Sequence, residues 1–478
     1  MATTIVDPVA RIEGHLKIKL VIDGGVITDT ELTGTMYRGF ETFLVGQLPI
    51  DAPLITQRVC GVCPTAHADA AALAIDDAAK VQAPPNGMIM RNLIHGAEYI
   101  HSHLLHSYHL ALQDYIDMPA GLDGAALNQG PWAPLYGGDR RINGGASKSD
   151  LDSLITHYLT ALTMRRKAHT IGAIIGGKQP HAASIIAGGC SATLTSNDVA
   201  NITSLVTELK SFIENIYLPD LSLIFDTYYP DYFSIGAGSG RLLSYGVFRQ
   251  GTGSTSTMLI KRGIYDGSSI INVMDHNKIA EDLSYGWYVG ADGLHPSNGV
   301  TSPNPAKVGG YSWLKAPRYK TDGVNKEVYE VGPLARMVVS GDYPANISVA
   351  DREKARGVEA LKVANAMLTW LGDIENTYGL SAPSYIPYEV PPSTTGVGLT
   401  EAIRGALGHW VEYDAAGRIA RYQIITPTCW NASPRDGDGV KGTIEQALIG
   451  VSVADETQPV EALRVIHSYD PCLACAVH

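Results

Sequence analysis

The chain reads as a mostly α fold with a minor β component (α+β), built as one large domain over residues 1–478. Three observations carry that reading. Several long stretches place apolar residues at three- and four-residue steps, the period of a helix with one buried face. Strict alternation, the mark of a half-buried strand, is clearest near the N-terminus. Two Cys-x-x-Cys pairs, Cys60/Cys63 and Cys472/Cys475, are 409 residues apart (472 minus 63). A site built from both ties the ends together, so the intervening Gly- and Pro-rich stretches read as loops rather than linkers.

The elements follow in order. Residues 15–33 (HLKIKLVIDGGVITDTELT) alternate around Gly24 and Gly25, predicting a β-hairpin with a tight glycine turn. Over 87–117 the period becomes helical, with Leu93, Ile94, Ala97, Ile100, Leu104 and Tyr108 on one stripe. Residues 150–175 and 197–223 read as further long helices, the second capped by Ser196 or Asn197. RLLSYGVF (241–248) reads as strand, so the GAGSG before it (236–240) is no dinucleotide-binding turn, which would open a helix. A last long helix covers 349–378, starting near Ser348. The stretches 119–149, 289–310 and 384–398 read as loops. Strands are therefore expected to be short and near the termini, around a core of long helices.

Composition sets bounds on function. Hydrophobic residues make up 45% and charged residues 18%, enough for a large core. A formal charge of −12 argues against nucleic acid and against an anionic membrane surface. No apolar run approaches the roughly 18 residues of a membrane span, and the N-terminus shows no secretion signal, so export or membrane attachment is expected from another chain. Six cysteines are too few for a disulfide framework. Cys190 and Cys429 stand alone and read as small buried hydrophobes. His101, His103, His106 and His109 crowd one helix and read as packed or locally bonded. DGDG (436–439) lacks the glutamate that closes an EF-hand loop.

The cysteine pairs carry the chemistry. Thiolates at i and i+3 grip one soft metal, and a second pair completes a four-sulfur site. A local zinc ribbon, with knuckles about 15–20 residues apart, is excluded by the interval. A zinc tie, a four-cysteine iron–sulfur cluster and a catalytic soft-metal centre such as nickel all remain compatible with the spacing.

The surrounding residues narrow the choice. RIEGH (11–15), RGFE (38–41), RVCGVCPTAH (58–67), HSYHL (106–110), KAPRY (315–319), VGPLARM (331–337), RGAL (404–407), PRDGDG (434–439), EQALIGV (445–451) and SYDPCLACAVH (468–478) occur in order along the chain. Together they resemble the large subunit of nickel–iron hydrogenases. The wording is closest to uptake-type enzymes and their selenium-containing relatives, with Cys at 472 in place of selenocysteine.

That resemblance implies the following roles. Cys60 and Cys472 bind nickel terminally, while Cys63 and Cys475 bridge nickel to an iron that carries carbon monoxide and cyanide. Glu13 relays a proton from the thiolate of Cys472. Arg404 overhangs the open face of the pair as an orienting group, since a guanidinium is a poor ground-state base, and Asp114 and Asp470 hold it. His67 donates to a bridging sulfur. Arg58, Pro427 and Thr428 wall the diatomic ligands with Arg404. Glu41, the carbonyl of Ile424 and the imidazole of His478 hold magnesium, or iron.

The implied reaction is reversible heterolytic cleavage of H2. Cys190 and Cys429 are too few to bind an iron–sulfur relay, so electrons pass to a cluster-bearing small subunit, in a heterodimer or a pair of heterodimers. From there they reach a cytochrome or another acceptor. Localisation follows the partner: periplasmic or membrane-associated, with the cytoplasm as the alternative. The competing function is a non-catalytic homologue in a respiratory complex, but such relatives have lost one or more of the four cysteines. Two departures touch the iron pocket: Ile403 where many relatives have proline, and Thr428-Cys429 where Ser-Thr is common.

Overall fold

Alternation in the N-terminal segment produces the expected hairpin. Strands Leu16–Asp23 and Val26–Gly34 pair antiparallel, and Leu16, Ile18, Leu20 and Ile22 fill one buried face. Gly24 and Gly25 both adopt positive φ (60° and 77°), which a two-residue turn of this kind requires. Ala2–Val6 adds a third, antiparallel strand. The computed structural model describes residues 2–118, 139–251 and 257–478.

The predicted long helices are present. Pro85–Leu104 continues through a π-type segment to Ala111 and a 3-10 turn to Asp114, matching the stripe read over 87–117. It is buried on every side from Asn86 to Leu104, because helices Lys148–Gly176 and Val349–Gly372 pack around it. Ser196–Phe212 is extended by further turns to Tyr228. Its cap is Thr195, one residue earlier than expected, in a reciprocal box with Asp198. Ser348 caps Val349–Gly372 by accepting from Asp351 N at 3.1 Å.

Several elements escaped the sequence reading, and two of them pack beside the first cysteine pair. Helix Pro64–Ala79 is rich in alanine, so its buried face shows no stripe of large apolar residues. It lies against strand Thr395–Ala402, so the loop expected over 384–398 ends where that strand begins. A Cβ on Gly396 would fall 2.0 Å from the Ala74 carbonyl oxygen, and one on Gly398 1.9 Å from that of Ala70. The glycines thus permit contact between helix and strand backbones. The sheet continues with Gly405–Tyr413 and Ile419–Ile425, all antiparallel. Its hairpin between residues 402 and 405 carries Arg404.

The stretch 289–310 has no regular element beyond a 3-10 turn at Pro296–Asn298. Of the loop expected over 119–149, residues 119–138 lie outside the described residues. RLLSYGVF forms Leu242–Ser244 and the start of Val247–Gln250, in two small sheets. Among the described residues no helix is long and apolar enough to cross a membrane.

The chain ends are laced together. Leu473 N donates to Glu13 O at 2.7 Å and Arg38 N to Val477 O at 3.0 Å. Beneath them lies a buried ionic layer. Arg336 pairs with Glu359 and Glu401, Arg352 with Glu330, and Arg356 with Glu353, all essentially without solvent contact. Such pairs make breaking any one partner costly, and so favour a single arrangement of the helices that carry them.

Candidate metal centre

Each half of the quartet is delivered by a turn that ends in a short or long helix. Cys60 follows the 3-10 turn Gln57–Val59, and its sulfur accepts from Val62 N and Cys63 N at 3.3 Å each. Cys63 is the N-cap of Pro64–Ala79. At the other end Asp470 takes a left-handed turn (φ 51°), and Cys472 N donates to Thr428 Oγ1 at 2.9 Å. Cys475 lies in the one-turn helix Leu473–Ala476. Arg38 staples the halves: its guanidinium donates to the carbonyls of Arg58 and Val59 on one side and Ala474 on the other.

The four sulfurs converge. Cys60 Sγ is 3.5 Å from Cys472 Sγ, Cys63 Sγ is 3.2 Å from Cys475 Sγ, and Cys472 Sγ is 3.0 Å from Cys475 Sγ. All four cysteines are unbridged and at most 2% exposed. Their sulfurs lie within 4.8 Å of one another. With metal–thiolate bonds of about 2.3 Å, two sulfurs on one tetrahedral metal stand about 3.8 Å apart, close to the 3.0–3.5 Å between neighbouring sulfurs here, so the donor set fits a soft metal. Within the quartet, burial opposes ionisation of Cys60, but hydrogen bonds from the other thiols, with Arg404 behind them, draw it well below its ordinary value.

Arg404 lies close enough to this cluster to feel the charge of its sulfurs. Its Nη2 donates to Asp470 Oδ1 at 3.0 Å, while Nε and Nη1 are buried without a protein partner. Burial works against its charge, yet Asp470 and the nearby sulfurs hold the guanidinium firmly protonated. Two orphaned donors near four thiols are what an additional anionic or diatomic acceptor would satisfy. The preceding Ile403 is fully buried and anchored by its carbonyl, which accepts from Arg336 Nη2 at 2.6 Å.

Asp470 and Asp114 do different jobs. Asp470 Oδ1 faces His106 Nδ1 at 3.5 Å as well as Arg404, and His106 Nε2 contacts Glu353 Oε1 at 2.9 Å. Asp114, expected to hold Arg404, pairs instead with Arg11 and His467. The physical reason is local: Arg11 (φ 57°) turns its guanidinium toward the end of the 85–114 helical rod, so Asp114 anchors the RIEGH segment. Two residues on, Glu13 joins Cys472 through a parallel backbone bridge. Burial raises its carboxyl pKa, and the neighbouring Cys60 adds to the effect.

The other expected residues separate into present and displaced. His67 is fully buried, its Nδ1 3.3 Å from His409 Nε2, and its Nε2 has no protein partner. Burial pushes it down to about 4, so it is a neutral imidazole. Pro427 and Thr428 open the buried helix Pro427–Asn431 beside Cys472. Cys429 is buried there too, its thiol pushed up to about 12 by burial. Arg58, expected as a pocket wall, has an exposed side chain, since the Gln57–Val59 turn points it outward; only its carbonyl enters the frame. Of the helix histidines, His103 and His106 bond carboxylates on Val349–Gly372 rather than on their own helix.

Beside the quartet, Glu41 Oε1 receives His478 Nε2 at 3.3 Å. It also accepts from the amide N–H of Ile424 at 2.8 Å, which places the Ile424 backbone beside the carboxylate. Lys315 Nζ lies 2.9 Å from Glu41 Oε2 and 3.0 Å from Gln423 Oε1, and Thr301 bonds the same carboxylate. Burial pushes Glu281 up to about 7 nearby, with Glu41 adding to the effect. Thr301, Gln423 and Glu281 were not anticipated. They come from loop and strand positions whose spacing carries no metal signal.

Fold and site together define the metal-bearing chain of a large metalloenzyme, whose centre closes only when both chain ends are in place. The profile of the nickel-dependent hydrogenases matches residues 38–133, 125–346 and 342–478. The chain belongs to the nickel-dependent hydrogenase family, as the large subunit of an oxidoreductase that acts on H2. It is 38% identical to the periplasmic [NiFeSe] hydrogenase large subunit of Desulfomicrobium baculatum, over 99% of this chain and 94% of that one. It is 32% identical to the hydrogenase-1 large chain of Escherichia coli K12, with the same coverage. The solved structure of the reduced, active Ni-Fe-Se hydrogenase from Desulfomicrobium baculatum superposes with a TM-score of 0.92 at 37% identity, covering all of both chains.

Proposed function

We propose that the quartet holds a nickel–iron pair, with Cys60 and Cys472 terminal on nickel, Cys63 and Cys475 bridging, and carbon monoxide and cyanide on the iron. The observation that carries this is the union of four unbridged, buried sulfurs 3.0–3.5 Å from their neighbours with two orphaned donors on the nearby Arg404. When bound, such a centre supplies soft, electron-rich metals that polarise H2 toward heterolytic cleavage.

The chain's own groups then manage the charges. Cys472 Sγ takes the proton and passes it to the carboxyl of Glu13, whose raised pKa suits reversible transfer. Arg404 orients the diatomic ligands through Nε and Nη1 while Asp470 fixes Nη2. His67, neutral and with Nε2 left free of protein partners, is the group available to donate to a bridging sulfur once the centre is loaded. Complete burial of the four cysteines excludes water from the reacting atoms.

At the C-terminal site Glu41, His478 and the Ile424 carbonyl hold magnesium or iron, next to the ammonium of Lys315. Oxygen donors with one imidazole suit either ion. Electrons leave through an iron–sulfur small subunit toward a cytochrome or similar acceptor. A periplasmic setting is supported by the name of the Desulfomicrobium baculatum relative. Metal analysis with infrared spectroscopy tests the reading: about one nickel per chain and sharp bands from iron-bound cyanide and carbon monoxide are expected. Absence of nickel or of those bands overturns it.

A further inference from the structure

Helix Pro64–Ala79 begins one residue after Cys63, so its first N–H groups lie directly behind a sulfur ligand. A helix leaves its first donors without backbone partners, and the side chain of the N-cap residue usually takes one of them. Here the N-cap is Cys63, and its side chain makes no capping bond. Its sulfur faces Cys475 instead, at 3.2 Å. The capping function has therefore moved elsewhere.

Glu98, deep in helix Pro85–Leu104, supplies it. Its Oε1 accepts from Thr65 N at 2.8 Å and its Oε2 from Ala66 N at 3.3 Å. Glu98 is 1% exposed, and among the described residues no Lys, Arg or His forms an ion pair with it. A buried carboxyl without a cation is an expensive way to cap a helix. Burial pushes this one up to about 8, against the pull of the Thr65 and Ala66 amides. The same first turn leads into His67, whose Nε2 is buried and unpaired.

We infer that Glu98 is a positioning residue for the metal centre: it caps the helix from a neighbouring element and so sets where Cys63 Sγ and His67 stand. The inference rests on the nickel–iron reading above. Groups that orient metal ligands typically matter by about 10–100-fold in affinity or activity.

The test uses the purified heterodimer as wild type, Glu98→Ala and Glu98→Gln. In Glu98→Ala, nickel content drops, the infrared bands shift or broaden, and H2 oxidation falls about 10-fold or more. Glu98→Gln keeps one acceptor oxygen and restores the wild-type band positions. Hydrogen exchange supplies a readout independent of metal loading, and serves if Glu98→Ala does not accumulate. In Glu98→Gln the Ala66 amide loses its acceptor and exchanges faster, while Thr65 stays protected. Wild-type nickel content and bands in Glu98→Ala overturn the inference. So does a Glu98→Gln protein as impaired as Glu98→Ala, or one whose Ala66 exchange is unchanged. A wild type without nickel or bands overturns the nickel–iron reading instead, and the exchange result still decides whether Glu98 holds the turn.

Discussion

Glu13, half-buried, and Asp114 and Asp470, both buried, are three carboxylates to which the structure gives different neighbours. Glu13 neighbours Cys472 through the backbone and its pKa is raised. Replacing it with glutamine preserves shape and removes the titrating proton. Turnover of H2 should fall at least about a hundred-fold, the usual worth of a positioned acid–base group, with nickel content intact; retained turnover would dismiss Glu13 as the relay. Asp470 and Asp114 can be separated in the same way. Asp470→Asn should shift the infrared bands, because it loosens Arg404 Nη2. Asp114→Asn should leave them in place and instead destabilise the protein by about 3–5 kcal/mol, the cost of stripping one partner from a buried ion pair. Denaturant unfolding beside infrared spectra distinguishes the two, and identical band shifts from both variants would restore Asp114 to Arg404. The types and order of these residues were legible from the motifs. Their pairing was not, because Arg11 and Arg404 present the same guanidinium and only the course of the backbone chooses the carboxylate.

Among the elements, those with a strong local pattern were read correctly: the 16–34 hairpin, the helical rod over 85–114 and the Ser348-capped helix. Helix Pro64–Ala79 and strand Thr395–Ala402 were missed, though they frame the first cysteine pair. Alanines and glycines contribute little side-chain hydrophobicity, so their pattern is faint in sequence. Their value emerges only when two backbones come close. Gly398→Ala would push a Cβ against the Ala70 carbonyl oxygen. Overpacking of this kind costs about 1–3 kcal/mol, and it should also lower nickel content by shifting the helix that follows Cys63. Thr195→Ala supplies the contrast. It removes a cap far from the centre, so it should cost about 1 kcal/mol and leave nickel content untouched. Equal metal loading in the two variants would show that the helix–strand seat does not govern the site.

For the protein entire, burial sets the response to pH. Glu98 (about 8) and Glu281, Glu401 and Glu445 (each about 7) are held up by burial, so they contribute stability that is present below about pH 4.5 and lost as pH rises toward 7–8. His67 and His109 (each about 4) and His95 (about 3) are held down by burial. The unfolded chain therefore binds their protons first, and stability is lost as pH falls from about 6.5 toward 3–4. The two slopes oppose one another between about pH 4.5 and 6.5. A thermal-unfolding profile should show a broad maximum there; a midpoint still climbing from pH 6 to 8 would contradict it.

The amino-acid order alone settled the chemistry class: which residues are present to bind a soft metal, the mostly α architecture, and the hydrogenase family signature at both ends. Folding assigned the partners. Distances of 3.0–3.5 Å between sulfurs, the Arg38 staple, the Asp114–Arg11 pair and the Glu98 cap all join segments that are far apart in the chain. Local propensity carries no information about such contacts. They exist because the hydrophobic core brings both ends together, and because a buried charge or amide must then take the partner within reach.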